Sequence, residues 1–527
     1  MKPLTRVGYR IAACACLCTL AAFVSVVFAR ATDSELAMVS VETETLGRQI
    51  PVDFVGFSLE VSTAGQGLPT GPKGAASSTA ETGPPEYALG SPGAPNKVFF
   101  RLMHNLGHGV LRLGGNSQDN TCWDASAAPH PDWCKGKLTS ADFRLYSDAA
   151  KATDWRLILG VNLKQNSGRW ALDEITQGIA KAIDPEEVVG LEIGNEADLF
   201  NRGGFRPPTY SIADFVEDFG LYATAFRENP VAKRYAVVGP AVCCRWNNAH
   251  DLDAFIDGVG AANLKLVTVH KYPLTTCGGR SVTIQELLAP ELMTKFNDEE
   301  RSLVSAAHDR ELPIALAETN SASCGGMPGV SNSFASALWG LDWLYSAAED
   351  GFSEVNFHTS YRAGGSSYDP IDTYGDGGTS HHARYRVVVR PLYYAMYLFS
   401  QSASGEYLAP AKIQTKANVR AFATTACSDC AVNVVVINKD LVASGRVRIR
   451  LAGRVRAAKL MLLRAPKLDS QSTEEISYGG ARFDGQGHLP NPKTEPIPAD
   501  SNGDYDFDLP NAAAAVLTIP ATAKAAQ

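Results

Sequence analysis

The sequence predicts an α/β chain: a (β/α)8 barrel, then a C-terminal β-sandwich that takes in one strand from the N-terminus. Three observations predict it. Between residues 53 and 402, eight short runs rich in Val, Ile, Leu and Phe recur, with helical patterns between them. These runs are apolar almost throughout, as suits parallel strands buried on both faces. From about residue 405 the helical patterns stop, and strand-like runs follow one another across turn residues.

In order, the barrel strands are expected at 54–60, 110–116, 156–163, 188–196, 235–242, 266–272, 312–319 and 354–360. Helical patterns lie between them, as at 96–106, 140–153, 211–227 and 331–350, and a last one at 389–401 follows the eighth strand. A doubly wound open sheet is the rival architecture, but it lacks the placement of acids described below. Residues 62–95 form a long Gly/Pro/Ser/Ala-rich loop after the first strand, on the face where barrels build sites. Sandwich strands are expected at 419–425, 431–438, 447–451, 459–463 and 513–519. Residues 37–45 alternate as a strand and join them, since the barrel already has its eight. The expected division is a targeting segment at 1–29, the borrowed strand within 30–50, the barrel at 51–403 and the sandwich at 404–527.

The targeting segment has a basic start at Lys2, Arg6 and Arg10, an uncharged stretch to Ala29, and small residues at Val27-Phe28-Ala29 where cleavage is expected. An uncleaved anchor is the alternative; no later stretch is long and apolar enough to span a bilayer. Of 11 cysteines, Cys14, Cys16 and Cys18 lie in that segment. The remaining even number fits disulfides in an exported chain. Cys122 and Cys134 bracket one short loop, and Cys427 and Cys430 sit at a hairpin tip. Cys243, Cys244, Cys277 and Cys324 are left, and the sequence does not pair them. The net charge of −8 speaks against a nucleic-acid binder working through a basic field.

Two strand ends carry the chemistry. The fourth run closes on Asn195-Glu196 and the seventh on Glu318. Strands four and seven lie on opposite sides of a barrel mouth, so the two carboxylates face each other there. Facing carboxylates cleave glycosidic bonds: one protonates the leaving oxygen, the other attacks the anomeric carbon or activates water. Glu192, four residues before Glu196, has the same strand phase but lies deeper, as a structural or ion-paired residue.

With these residues in place, the sequence resembles clan A glycoside hydrolases, and among them family 79, which holds β-glucuronidases and heparanases. Four motifs carry the resemblance, in order: Leu111-Arg112-Leu113-Gly114-Gly115-Asn116, Ile193-Gly194-Asn195-Glu196, Val269-His270-Lys271-Tyr272 and Ala317-Glu318-Thr319-Asn320-Ser321. The resemblance implies Glu196 as acid/base and Glu318 as nucleophile of a retaining double displacement. It implies Asn195 on the sugar 2-OH and Tyr272 orienting Glu318. Arg112 either keeps Glu318 ionised or pairs with Glu192, and His270 packs behind the site. Asn116 and Asp119 fall at substrate-binding positions, Asp119 matching a sugar-binding acid of heparanases. The sugar carboxylate would meet backbone N–H groups at Gly325 and Gly326 in the loop after the nucleophile. Ser323 stands where some relatives have a tyrosine, which leaves room for a modified uronic acid. Tyr368 is the candidate for a second family tyrosine, with Tyr361 and Tyr374 as rivals.

The expected activity is therefore a retaining exo-β-glucuronidase acting on glucuronic-acid-containing glycans or glucuronides, secreted or periplasmic, with no stable membrane insertion. The alternatives are an endo-acting heparanase-like enzyme, another clan A glycosidase acting on arabinose or xylose units, and a non-catalytic carbohydrate-binding protein. No His/Cys/Asp cluster has metal-site spacing, so no metal or cofactor is expected.

Overall fold

The computed structural model describes residues 35–64, 88–91, 94–123, 133–360, 366–375, 385–472 and 474–521. The expected targeting segment, most of the loop at 62–95, and Tyr361 lie outside the described residues.

Eight parallel strands close into a barrel in chain order. They are Val55–Glu60, Gly109–Gly114, Trp155–Val161, Val188–Ile193, Val237–Val242, Leu266–Lys271, Ile314–Thr319 and Glu354–Thr359. The second and fourth stop earlier than the sequence pattern suggests, because Gly115 and Gly194 take φ of +76° and +80° and end the extended conformation. A Cβ at Gly115 would lie 2.6 Å from the Glu60 carboxylate, so only glycine fits that turn. Glu192 therefore shares no continuous strand phase with Glu196. It still sits deep in the barrel, fully buried.

The helices start where side chains can cap them. Asn96 accepts the N–H of Phe99 ahead of Lys97–Asn105. Capping boxes formed by Thr139 with Asp142 and Ser211 with Asp214 open Ser140–Thr153 and Ile212–Glu228. The last helix begins at Pro391, later than expected, because Tyr385–Val389 is a strand paired antiparallel with Ile371–Gly375. That hairpin has no counterpart in the sequence reading.

The sandwich has two sheets. In one, the N-terminal strand Glu35–Val41 lies between Ala411–Thr415, antiparallel, and Gly445–Arg450, parallel, with Asp504–Leu509 at the far edge. The other is built on Val419–Thr425, Val432–Asn438, Ala513–Ile519 and Ala458–Arg464. This second sheet is buried on both faces. Val434, Val436, Ala515 and Leu517 point into the sandwich core, while Val435, Ile437, Ala514 and Val516 join the barrel core. Double burial explains why these strands read as unbroken apolar runs rather than alternating ones.

The helix Phe334–Asp350 lies in that junction and is buried on nearly every side. Its Tyr345 ring stacks on Phe422 of the sheet at 4.7 Å between centroids. Its Asp342, fully buried, pairs with Lys439, which is 2% exposed, and lies 3.4 Å from Arg420. Removing one partner of such a pair leaves an uncompensated buried charge, whereas removing both with apolar replacements does not. Lys439→Met is therefore expected to destabilise the fold by about 3–5 kcal/mol, and the double variant Asp342→Leu/Lys439→Met by clearly less. Urea unfolding midpoints of the three proteins check this; a double variant as unstable as the single one would count against the pair.

Candidate active site

The site is built from the barrel floor upward, and its floor is Arg112. This side chain is fully buried inside the barrel and reaches strands one, four and seven and the turn after strand four. Its Nε donates to Glu192 Oε2 at 2.6 Å. Its Nη1 donates to Ser58 Oγ at 3.0 Å and to Glu318 Oε2 at 2.9 Å, and its Nη2 to Asn195 Oδ1 at 2.8 Å. The two alternatives left open by the sequence, partner of Glu192 or of Glu318, are thus both realised by one fork-shaped cation.

Glu318 ends the seventh strand at 4% exposure. Besides Arg112, it accepts a hydrogen bond from the Tyr272 hydroxyl at 2.9 Å on its other oxygen. Glu196 lies just past the fourth strand in a left-handed conformation, φ 51° and ψ 46°. A non-glycine residue pays for that backbone with strain of order 1–3 kcal/mol, a feature that clusters at functional sites. Its N–H donates to Ala241 O at 2.9 Å, and this bond holds the turn against the neighbouring strand end. A carboxylate oxygen of Glu196, one of Glu318 and a ring nitrogen of His270 all lie within 4.8 Å of one another.

The environments of the two acids differ in sign. Burial, the Glu318 charge and the Asp198 charge hold Glu196 well above the usual carboxylate range. Burial also opposes ionisation of Glu318, but the neighbouring His358, His270 and Arg112 and the Tyr272 hydrogen bond outweigh it, and its carboxyl is held far below the usual range. Burial first, then Arg112, depresses His270 to about 4, so this imidazole is neutral near pH 7. The permanent charge on Arg112 keeps acting on Glu318 when His270 is neutral.

The other expected residues fall into two groups. His270 is fully buried, with Nδ1 3.1 Å from Glu196 Oε1. Tyr368, 6% exposed, lies 6.2 Å from the Tyr272 ring and 6.1 Å from the His358 ring between centroids. Cys324, Gly325 and Gly326 form a left-handed run with φ of 63°, 89° and 75°. Gly325 O accepts the N–H of Ser367 at 2.7 Å, and a Cβ on Gly326 would approach Ser331 Cβ to 2.8 Å. The loop is thus pressed onto the Tyr368 segment and tied from the other side by the Cys277–Cys324 disulfide.

Asp119 and Asn116 stand differently. The Asp119 carboxylate is 4% exposed and occupied by the backbone: Leu163 N at 2.7 Å, Lys164 N at 3.1 Å and Asn195 N at 2.9 Å. It lies beneath Asn195, with both carboxylate oxygens engaged by backbone N–H groups. Asn116 is exposed at the rim, and its N–H donates to Glu60 Oε1 at 3.0 Å.

Sequence reading missed four residues of the site. His358 ends the eighth strand with Nδ1 3.1 Å from Ser58 Oγ and 3.6 Å from Glu318 Oε2. Ser58 faces Arg112 on one side and His358 on the other in strand register. Glu60 accepts both N–H and hydroxyl of Ser117. Asp198 accepts the N–H groups of Cys244 and Arg245, each at 2.8 Å, two residues beyond Glu196. The signal for Ser58 was available: a lone polar residue within the apolar run of a barrel strand points to the lumen contents.

Comparison with known proteins follows this geometry. No protein-family model matches the chain. Over 324 residues it is 29% identical to a β-glucuronidase of Neurospora crassa, covering 55% of this chain and 57% of that protein. Over 256 residues it is 27% identical to the heparanase of Gallus gallus, covering 46% of each. The chain thus spans little more than half the length of the curated relatives it matches. In fold it is similar to a 4-O-α-L-rhamnosyl-β-D-glucuronidase of Fusarium oxysporum 12S, with a TM-score of 0.69, 17% identity, and coverage of 91% of this chain and 100% of that one. The resemblance to family 79 read from four motifs thus agrees with relatives found along the sequence and with a neighbour found by fold.

Proposed function

We propose that this chain is a glycoside hydrolase, a retaining β-glucuronidase acting from the non-reducing end of glucuronic-acid-containing glycans. The observation that carries this reading is the pair of carboxylates, oppositely shifted and with oxygens within 4.8 Å, at the ends of the fourth and seventh barrel strands. Retaining glycosidases hold their two carboxyl groups about 5–5.5 Å apart, closer than the gap an inverting enzyme keeps for water.

In the first step Glu318, ionised, attacks the anomeric carbon as the glycosidic bond breaks. Glu196, protonated, gives its proton to the departing oxygen. The sugar is then an ester of Glu318. In the second step Glu196, now a carboxylate, takes a proton from water, the water oxygen bonds to the anomeric carbon, and Glu318 leaves. Asn195 donates to the sugar 2-OH. Its carbonyl is already engaged by Arg112, which turns the amide N–H group toward the substrate. The C6 carboxylate lies against the Gly325 and Gly326 amides, with Tyr368 beside them. The heparanase similarity favours a second reading with the same chemistry, mid-chain cleavage of a polymer. Four disulfides, Cys122–Cys134, Cys243–Cys244, Cys277–Cys324 and Cys427–Cys430, fit work in an oxidising compartment.

A 2-fluoro-glucuronide inactivator should leave a sugar on the peptide that contains Glu318, and a product of inverted configuration would sink the nucleophile assignment. Glu196→Ala should lose about 10²–10⁴-fold on poor leaving groups and far less on activated aryl glycosides, with azide restoring turnover as a β-glycosyl azide.

The pH dependence follows from the two shifts. Glu318 stays ionised well into acid, so the acid limb of kcat/KM should lie below the ordinary carboxylate range. Glu196 must keep its proton, so activity should persist through neutrality and fall only as this raised group titrates. Loss of activity on passing about pH 5 upward, where an ordinary glutamate deprotonates, would contradict the acid assignment.

For the substrate, aryl β-glucuronide, aryl β-glucoside and a sulfated polymer are to be compared. Removing the carboxylate leaves two or three buried donors unpaired at about 1–3 kcal/mol each, which predicts discrimination on the order of a thousandfold. Faster hydrolysis of the glucoside refutes the uronide assignment; mid-chain cuts refute only exo action.

A further inference from the structure

Beside the catalytic centre, on the same end of the barrel, the chain builds a second feature that the reaction above does not use. After the second barrel strand, Thr121–Trp123 pairs in parallel with Gly136–Leu138, Cys122 is bonded to Cys134, and Trp123 and Trp133 line one crevice. After the third strand, the helix Gly168–Asp173 sets Trp170 edge-on to Trp133 at 5.7 Å between ring centroids. Between the three indoles runs a narrow crevice, with Asn162 and Glu174 on its walls.

Two groups in this crevice have no hydrogen-bond partner among the described residues. Glu174 is 6% exposed and its carboxyl makes no hydrogen bond among the described residues. The buried Trp123 Nε1 has none either. Glu174 also opens a π-helical turn, Glu174–Ile179, between two stretches of α-helix. Such a turn adds a residue to the helix and re-aims side chains, and it occurs frequently at functional sites. Trp170, in contrast, keeps 38% of its surface exposed.

We propose that this crevice is a binding subsite for a second sugar ring of the same glycan, apart from the ring that is cleaved; the proposal rests on the glycosidase reading above. A pyranose has an apolar C–H face, which packs on an indole, and a rim of hydroxyl groups. The exposed Trp170 offers the flat surface and Trp133 the side wall. The crevice is too narrow for a whole ring but admits one hydroxyl or hydroxymethyl group, which meets Glu174 and Trp123 Nε1. Burial lifts Glu174 to about 8, so its acid is neutral and can donate as well as accept at neutral pH. A neutral acid suits a hydroxyl better than a cation, which separates this box of indoles from those that hold ammonium groups. The subsite also shares a wall with the catalytic centre. Leu163, next to Asn162, donates its N–H to Asp119, whose other oxygen holds the N–H of Asn195.

The test compares an aryl β-D-glucuronide with a tetrasaccharide ending in glucuronic acid on a neutral backbone. Trp170→Ala should leave kcat/KM on the aryl glucuronide within about twofold and lower it on the tetrasaccharide on the order of tenfold, chiefly through KM. Glu174→Gln, which keeps the shape, should lower the tetrasaccharide value in the same direction. Equal loss on both substrates, or on neither, overturns the subsite and leaves the crevice as a place for a bridging water. Tryptophan fluorescence of the Glu318→Gln protein, titrated with the tetrasaccharide, gives a readout independent of turnover. If the wild type cleaves neither substrate, the glucuronidase reading fails. A fluorescence change abolished by Trp170→Ala would still uphold the subsite, and no change would refute it.

Discussion

Everything at the barrel mouth depends on one buried guanidinium. Arg112 lies in an apolar barrel, where an unpaired charge would cost several kcal/mol. Its donors go to Glu192, Glu318, Ser58 and Asn195, which belong to strands one, four and seven and to the turn after strand four. One rigid planar group thus fixes the relative positions of these elements. A lysine in its place would offer a point charge and no fork, so it could not hold all four partners at once. The same cation makes the two glutamates unlike: it stands next to Glu318, and Glu196 feels the resulting carboxylate charge at short range. Arg112 thus serves both the fold and, with His358, His270 and Tyr272, the ionised state of Glu318.

A second layer holds the backbone rather than the side chains. Asp119 and Asp198 are buried carboxylates that accept backbone N–H groups, the first from Asn195 and the loop after strand three, the second from the loop after strand five. They flank the turn that carries Glu196 in its left-handed conformation. Such a turn would relax to a commoner backbone if its neighbours gave way. The two aspartates supply fixed acceptors where the strands end and ladder hydrogen bonds stop.

The sequence made most of this frame legible, for identifiable reasons. All eight barrel strands could be read because double burial writes them as apolar runs, and Glu196 and Glu318 stood out as charges at the ends of such runs. The relation of Glu192 to Glu196 was misread, since the period-two argument assumed that the strand continued through Gly194. Asp119 was placed by family resemblance, and only the three N–H groups around it reveal a supporting role. His358 and Ser58 were overlooked because the partners of each are more than 50 positions away in the chain. Local pattern carries no information about such pairs. The hairpin of Ile371–Gly375 with Tyr385–Val389 was lost because its second strand runs directly into a helix.

The disulfides divide the labour in a way that the floor of the site alone would not require. Cys122–Cys134 braces the excursion after strand two, Cys243–Cys244 sits in the turn after strand five, and Cys277–Cys324 ties the loop after strand six to the one after strand seven. All three lie in loops above the C-terminal ends of the barrel strands, where chain segments are too short to bury cores of their own. The barrel interior needs no such help, because apolar packing and the Arg112 network already hold it. A loop whose backbone N–H groups are not spent on ladder hydrogen bonds has to be fixed by other means. Covalent links remove conformational freedom from the loops without using a single donor or acceptor. The floor of the site is thus set by charge and the loops above it by cross-links.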